Sequence, residues 1–277
     1  DVEGFDAVFH LVAISNDPMG ELNKGLTEPV NLNGSVHVAE IAKKAGVPRF
    51  LFAGSCSVYG KGEHLDLDET SSFNPVSVYA HSKVKAEQII SKLADKNFSP
   101  SFLRNATAYG HSPMLRIDLV ANNLLASAFA RGEIEVISDG SPWRPLVHCI
   151  DIARAFVAFA EAPREVIHNK AINIGENKEN YQVHQIVDFA KELLPNSTIN
   201  YSGKVVEDPR NYRVNFDLLY SLLPDFYLAF DVMRGMSKLL QEFKEKKFCI
   251  KDFVDSRYVR LRRLSEILSK KDRGGLL

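Results

Sequence analysis

Tyr79 and Lys83 stand four residues apart in Val78-Tyr79-Ala80-His81-Ser82-Lys83. On a helix that spacing puts both side chains on one face. An ammonium held there stabilises a phenolate and lowers the tyrosine pKa from about 10, so the phenol can work as an acid/base near neutral pH. Tyr-x-x-x-Lys alone is common on surface helices, so the pair needs a setting. Upstream, Arg49-Phe50-Leu51-Phe52-Ala53 reads as a buried strand, followed by Gly54-Ser55-Cys56-Ser57-Val58-Tyr59-Gly60. The carboxyl ends of parallel strands open into the ligand crevice of a doubly wound sheet. Ser55 is therefore placed to hydrogen-bond an oxygen whose proton Tyr79 moves.

The elements that must position these residues alternate. Ala7 to Ala13 is a short apolar run without helical period, which reads as a buried strand. Glu28 to Ala45 reads as a helix stopped by Gly46, and Ser77 to Leu93 as a second helix. Ser101-Phe102-Leu103-Arg104 starts a third strand. Strand, helix, strand, helix, strand with short connections implies a parallel sheet with right-handed crossovers. After Gly110 the texture changes. A helix from about Ile117 to Ala130 and strands at Ile134–Ile137 and Leu146–Val147 come next, then a helix from Ile150 to Ala160 and a strand at Ala171–Ile174.

The bulk composition narrows the classes. The chain has 277 residues, a net charge of -1 and 45% hydrophobic residues, which fits one large α/β domain or two fused smaller ones. Near-zero charge gives no basic stripe for nucleic acid or membrane, and no apolar run reaches the ~20 residues of a membrane span. Cys56, Cys149 and Cys249 have neither disulfide-framework nor metal-ligand spacing, which points to a reducing, cytoplasmic compartment. The eight histidines form no His-x-x-x-His pair, so no metal site is expected. Cys56 lacks the glycine two residues on that a nucleophile elbow requires. Asp66, Asp68 and Glu69 read as a loop surface, and the basic run from Arg260 to Lys271 as a solvated helix face.

Six segments in order resemble the extended short-chain dehydrogenase/reductase family, in its branch of NAD-dependent nucleotide-sugar epimerases and dehydratases. Phe9-His10-Leu11-Val12-Ala13 is similar to its fourth-strand signature, and Asn31-Leu32-Asn33-Gly34-Ser35 to its helix signature. Gly54 to Gly60 resembles its serine/threonine loop, and Tyr79 to Lys83 its catalytic pair. Leu103-Arg104 through Tyr109-Gly110 is similar to the next strand and loop, and Trp143 to His148 with Asp151 to its later arginine loop. The resemblance covers residues from about 5 to 215 and implies roles. Tyr79 is the general acid/base, Lys83 holds the nicotinamide ribose and tunes Tyr79, and Ser55 hydrogen-bonds the reacting hydroxyl. Ala13 and Asn31 lie on the cofactor, with Tyr79 and Lys83. Asn123 and Arg144 contact the nucleotide diphosphate, Arg through a fork that matches phosphate oxygens, and Thr107 belongs to the substrate loop. Arg210 is a second phosphate ligand or, alternatively, an exposed structural arginine. Trp143 packs on a base or sugar ring, or in the core.

The chain departs from that family in three places. No Gly-x-x-Gly-x-x-Gly follows a strand, so the fingerprint that seats the NAD pyrophosphate is absent. The chain is expected to start at about the fourth strand, roughly 60 residues or two βα units into the family's fold. Dehydratases of the family carry Asp-Glu just after the serine/threonine; Cys56-Ser57 stands here, which argues for an epimerase or a ketoreductase. Thr107 replaces the usual Asn of the Leu-Arg-x-x-Asn-x-Tyr-Gly stretch, with Asn105 nearby.

The expected architecture is a Rossmann-like, doubly wound parallel sheet lacking its N-terminal strands, with a smaller C-terminal α/β substrate-binding part. Residues 1–110, with a return segment at about 145–175, form the NAD side; 111–144 and 176–277 form the substrate side. The expected activity is C4 epimerisation of a nucleotide-linked hexose through a transient 4-keto sugar. Alternatives are a NAD(P)H-dependent 4-keto-sugar reductase of the same family and a non-catalytic binding or regulatory protein. The expected cofactor is NAD, the ligand a nucleotide-diphosphate sugar, and the assembly a homodimer, with no nucleic-acid, membrane or metal partner.

Overall fold

Phe50 and Phe52 alternate with Leu51 and Ala53 along one strand, so both faces of the sheet it joins must be covered. The computed structural model describes residues 2–15, 17–201 and 211–272, and only the backbone of 61–65 and 270–272. Its strands are β1 (Ala7–His10), β2 (Arg49–Ser55), β3 (Lys61–Leu67), β4 (Ser99–Asn105), β5 (Thr107–Tyr109), β6 (Glu133–Val136), β7 (Trp143–His148), β8 (Ala171–Ile174), β9 (Asn180–Gln182), β10 (Thr198–Tyr201) and β11 (Asn211–Val214). Its helices are α1 (Asp17–Leu22), α2 (Lys24–Glu28), α3 (Gly34–Lys44), α4 (Val78–Ser91), α5 (Val120–Arg131), α6 (Cys149–Glu161), α7 (Arg164–Ile167), α8 (Val183–Leu193), α9 (Asp217–Leu222), α10 (Val232–Glu245), α11 (Ile250–Phe253) and α12 (Arg260–Asp272).

The main sheet is parallel, in the order β1-β2-β4-β8. Phe50, Phe52 and Phe102 pack with Ala39, Ala42, Ala86 and Ile90 of α3 and α4. Leu51, Leu103 and Ile172 face the other way, onto Phe156 and Phe159 of α6 and Leu219 of α9. Burying such apolar side chains contributes roughly 1.5–3 kcal/mol each. A second core joins α5, α8 and α10 through Leu124, Leu125, Ile186, Met236 and Phe243. Among the described helices none is long and apolar enough to cross a membrane.

The expected helix stop holds in detail. Gly46 has φ 78°, its N–H donates to the Lys43 carbonyl at 3.1 Å, and the Val47 N–H to the Ala42 carbonyl at 3.0 Å. That double closure needs a left-handed residue, which glycine adopts without a β-carbon penalty. Two expectations need correction. The first strand ends at His10, not Ala13, because the next residues turn out of the sheet to be held by Asn31. The helix from Glu28 is not continuous: α2 passes through a π-helical turn, Pro29–Asn33, before α3 begins. Proline has no N–H for the ordinary ladder, and single π turns recur at functional sites.

Candidate active site

The site stands at the carboxyl ends of β2 and β4, where Ser55 and Asn105 are register partners on adjacent strands. Ser77 caps α4, its hydroxyl accepting the Ala80 N–H at 3.1 Å, and this cap places Tyr79 in the first turn. The Tyr79 phenol faces the Ser55 side chain, whose oxygen accepts the Ser57 N–H at 3.2 Å. One turn on, the Lys83 ammonium donates to the Ala53 carbonyl at 2.8 Å and lies 4.6 Å from the Phe52 ring centroid and 6.0 Å from that of Tyr79. The expected trio therefore converges.

Its electrostatics differ from the sequence-based expectation. Tyr79 is pushed up to about 12 rather than lowered: burial is the main cause, opposed by the Ser55 hydrogen bond and the Arg116 charge and reinforced by Asp17. Burial lowers Lys83 to about 8, because its ammonium loses water without gaining a carboxylate among the described residues. In the absence of ligand the phenol holds its proton firmly at neutral pH. The lysine sits within reach of losing its own.

Asn31 is fully buried in the π-helical turn. Its carbonyl oxygen accepts the Ile14 N–H at 2.8 Å, and its amide donates to the Ile14 carbonyl at 3.1 Å and to the Ser82 hydroxyl at 3.2 Å. It fastens the loop of Ala13 to α4; its polar atoms are spent on protein. Ala13 is half-buried beside exposed Leu11 and Val12. Thr107 opens β5 and pairs with Leu146 of β7. Asn123 lies in the first turn of α5, its amide donating to the Ile117 carbonyl at 2.9 Å. Arg144 is buried on β7, one guanidinium N–H donating to the Trp143 carbonyl at 2.7 Å. Among the described hydrogen bonds none links Thr107, Asn123 or Arg144 to Ser55, Tyr79 or Lys83. Arg210 lies outside the described residues. Trp143 stacks under Arg213, whose guanidinium carbon is 5.1 Å from its ring centroid.

Several groups at the site carry no sequence signal of their own. Asp17 of α1 accepts the Ser77 hydroxyl proton in a short hydrogen bond, and Glu21 accepts the Val78 N–H at 3.0 Å. Two carboxylates from α1 thus meet the positive N-terminal end of α4. Gly20 permits the approach: a β-carbon there would come within 3.0 Å of Tyr79 Cβ, tighter than ordinary contact. Arg116 is paired through two N–H groups with Asp118 and donates to the Ser15 hydroxyl at 2.8 Å. Asn105 Oδ1 and Ser57 Oγ are buried without a hydrogen-bond partner on either side of Ser55 in sequence and register. Only the asparagine stood out in the sequence, as a neighbour of Thr107. Glu69, expected at a loop surface, instead accepts the Asn173 N–H at 2.7 Å.

Comparison with known proteins agrees with this geometry. The NAD dependent epimerase/dehydratase family matches residues 1–175. The UDP-glucose 4-epimerase of Homo sapiens is 31% identical over 193 residues, which cover 62% of this chain and 54% of that protein. Across eight curated relatives the chain spans between 48% and 77% of their length. The structure of MoeE5 in complex with UDP-glucose and NAD superposes with a TM-score of 0.77 at 25% identity, covering 89% of this chain and 81% of that one. TunA, an NAD dependent NDP-hexosamine 5,6-dehydratase, shares the fold with a TM-score of 0.79 at 21% identity, over 88% of this chain and 78% of that one. The parallel sheet with helices on both faces is the Rossmann-like arrangement of these proteins.

Proposed function

Because the chain belongs to the NAD dependent epimerase/dehydratase family, we propose that it performs the proton-transfer chemistry of a nucleotide-sugar epimerase acting at C4 of a hexose. The observation that carries the reading is the convergence of Tyr79, Ser55 and Lys83 at one sheet edge. Tyr79 accepts the proton of the sugar hydroxyl and later returns it. Ser55 orients that oxygen, and the Lys83 charge favours the phenolate during transfer. NAD, when bound, supplies the hydride acceptor and donor. The residues present fit it: among the described residues Asn105 Oδ1 and Ser57 Oγ are buried without partners at this edge, and Lys83 is a buried ammonium without a paired carboxylate. Tyr79 and Lys83 would hold its nicotinamide ribose, with Ala13 alongside and Asn31 fixing that loop.

The substrate side is residues 111–144 and 176–277, where Asn123 and Arg144 would contact the nucleotide diphosphate, while Thr107, just before it, would line the substrate loop; Arg210, the second phosphate candidate, lies outside the described residues. The NAD side is 1–110 with the return segment at 145–175. Cys56-Ser57 after Ser55 supports an epimerase over a dehydratase, since no acid/base pair stands there to eliminate water. The assembly is a homodimer through α3 and α4. A groove lined by Leu32, Val36, His37, Glu40 and Ile89, with Ile41 exposed beside it, supports this.

The test is heat denaturation of purified protein, prepared as this chain and with a preceding glycine fingerprint, followed by mass spectrometry of released nucleotide. Incubation with UDP-glucose and chromatography of the product completes it. Released NAD and a C4 epimer as product, from the form that carries the fingerprint, are the expected results. No released nucleotide, with NADPH-dependent reduction of a 4-keto sugar, would replace the epimerase by a reductase.

A further inference from the structure

The buried face of α4 carries a third charged residue. Tyr79, Lys83 and Glu87 follow at intervals of four, so they share one stripe of the helix. Each is tied to the sheet at a different point: Tyr79 to Ser55, Lys83 to the Ala53 carbonyl, and Glu87 to Arg104 on the neighbouring strand. The last tie is the strongest in kind. Arg104 Nη2 donates to Glu87 Oε1 at 2.5 Å and Nε to Oε2 at 3.2 Å, a two-pronged contact with both side chains about nine-tenths buried or more.

Arg104 is itself held on every side. Its Nη1 donates to the Tyr59 hydroxyl at 3.0 Å, which in turn donates to Asn173 Oδ1 at 2.8 Å on β8. The Phe73 ring lies 4.7 Å from the guanidinium carbon. Arg104 is also the register partner of Gly54, the residue between the Lys83 anchor and Ser55. A β-carbon on Gly54 would come within 3.4 Å of Arg104 Cγ and 3.1 Å of the Leu103 carbonyl. The guanidinium therefore roots in the strand pair that carries Ser55, and its fork reaches the helix that carries Tyr79.

We propose that Glu87 and Arg104 are positioning residues: their two-pronged pair holds α4 against β2 and β4 so that Tyr79 meets Ser55 in reacting geometry. Both are buried and spend their polar atoms on protein groups. The inference rests on the reading of Tyr79 as the proton carrier. A buried ion pair adds little net stability over a well-packed apolar pair, while it fixes direction and spacing that apolar contacts leave loose. Misplacement of a reacting group by about 1 Å costs roughly a hundred-fold in rate.

The test compares the wild type with the apolar double variant Glu87→Met/Arg104→Met in the form of the protein that interconverts UDP-glucose and its C4 epimer. The expected result is a melting temperature close to wild type, an unchanged KM and retained NAD, with kcat down about ten- to a hundred-fold. Wild-type kcat in a folded double variant overturns the proposal. If the double variant does not fold, Glu87→Asp and Glu87→Gln decide it, assayed well below their melting temperatures. A fall in kcat at constant KM, larger for Asp than for the isosteric Gln, supports positioning; wild-type kcat in both overturns it. Failure of the epimerase reading shows separately, as a wild type that turns over no sugar.

Discussion

Two cations are buried beneath α4, and they are treated in opposite ways. Arg104 meets a carboxylate through two N–H donors, and its partners hold it charged, well above the ordinary arginine value. Lys83, one turn nearer the N-terminus, donates to a main-chain carbonyl and has no carboxylate within ion-pair distance among the described residues, so burial lowers it to about 8. Both are almost fully enclosed, at 4% and 3% exposure, so enclosure alone does not separate them. The difference is the counter-ion. A compensated charge serves to hold elements together, and an uncompensated one is held at a cost in stability that makes sense only where its charge acts on something else.

Four experiments would break or sharpen that contrast. The largest effect is expected from Tyr79→Phe, which leaves Lys83 with nothing to act on. Turnover of nucleotide sugar should fall by roughly 10²–10⁴-fold, with far-ultraviolet circular dichroism unchanged; residual activity near wild type would remove Tyr79 from the chemistry. At the compensated site, Glu87→Ala strands the Arg104 guanidinium and should cost about 3–5 kcal/mol in urea denaturation.

Lys83→Met should behave in the opposite sense, losing activity without losing stability. The sign follows from linkage. Lys83 titrates lower in the folded than in the unfolded chain, so the unfolded state binds more protons between about pH 8 and 10.5 and stability rises with pH across that window. The gain is about 3 kcal/mol at most. Denaturation midpoints of the Met variant should lack it, and a slope equal to wild type would show that the ammonium is already compensated.

The smallest effect concerns His10, which hydrogen-bonds Ser35 at 2.9 Å and is stacked on Phe50 and Phe52. Burial, and then the Lys83 charge, lower it to about 4. Its neutral form is the one the fold accepts, so stability should drain away as pH falls from about 6.5 toward 4. His10→Gln should flatten that decline by up to about 2 kcal/mol between pH 6.5 and 5. An unaltered acid limb would assign the decline to other groups, with buried His148, also lowered to about 4, next in line.

The convergence of Ser55, Tyr79 and Lys83 was legible because local signals carry it. Ser77 as a cap, a Tyr–Lys interval of four and a strand ending before Ser55 are all short-range patterns. The tyrosine pKa is not legible in the sequence, which shows the lysine four residues away and hides the burial and the Asp17 charge that raise it. Asn31, expected on the cofactor side, has its atoms engaged with Ile14 and Ser82, residues 17 and 51 positions away.

The sequence by itself determined the alternation of elements, the Gly46 helix stop, the Ser77-capped helix and the Tyr79–Lys83 face, all of which depend on groups within a few residues of one another. Only the tertiary structure decided that Gly20 lets α1 sit on Tyr79, that Asp17 reaches Ser77, that Arg116 reaches Ser15 and that Arg104 takes Glu87. Those contacts join segments separated by 17 to 101 residues, brought together by the helical crossovers of a parallel sheet. Their strength comes from exclusion of water, which is a property of the packed molecule and has no pattern along the chain.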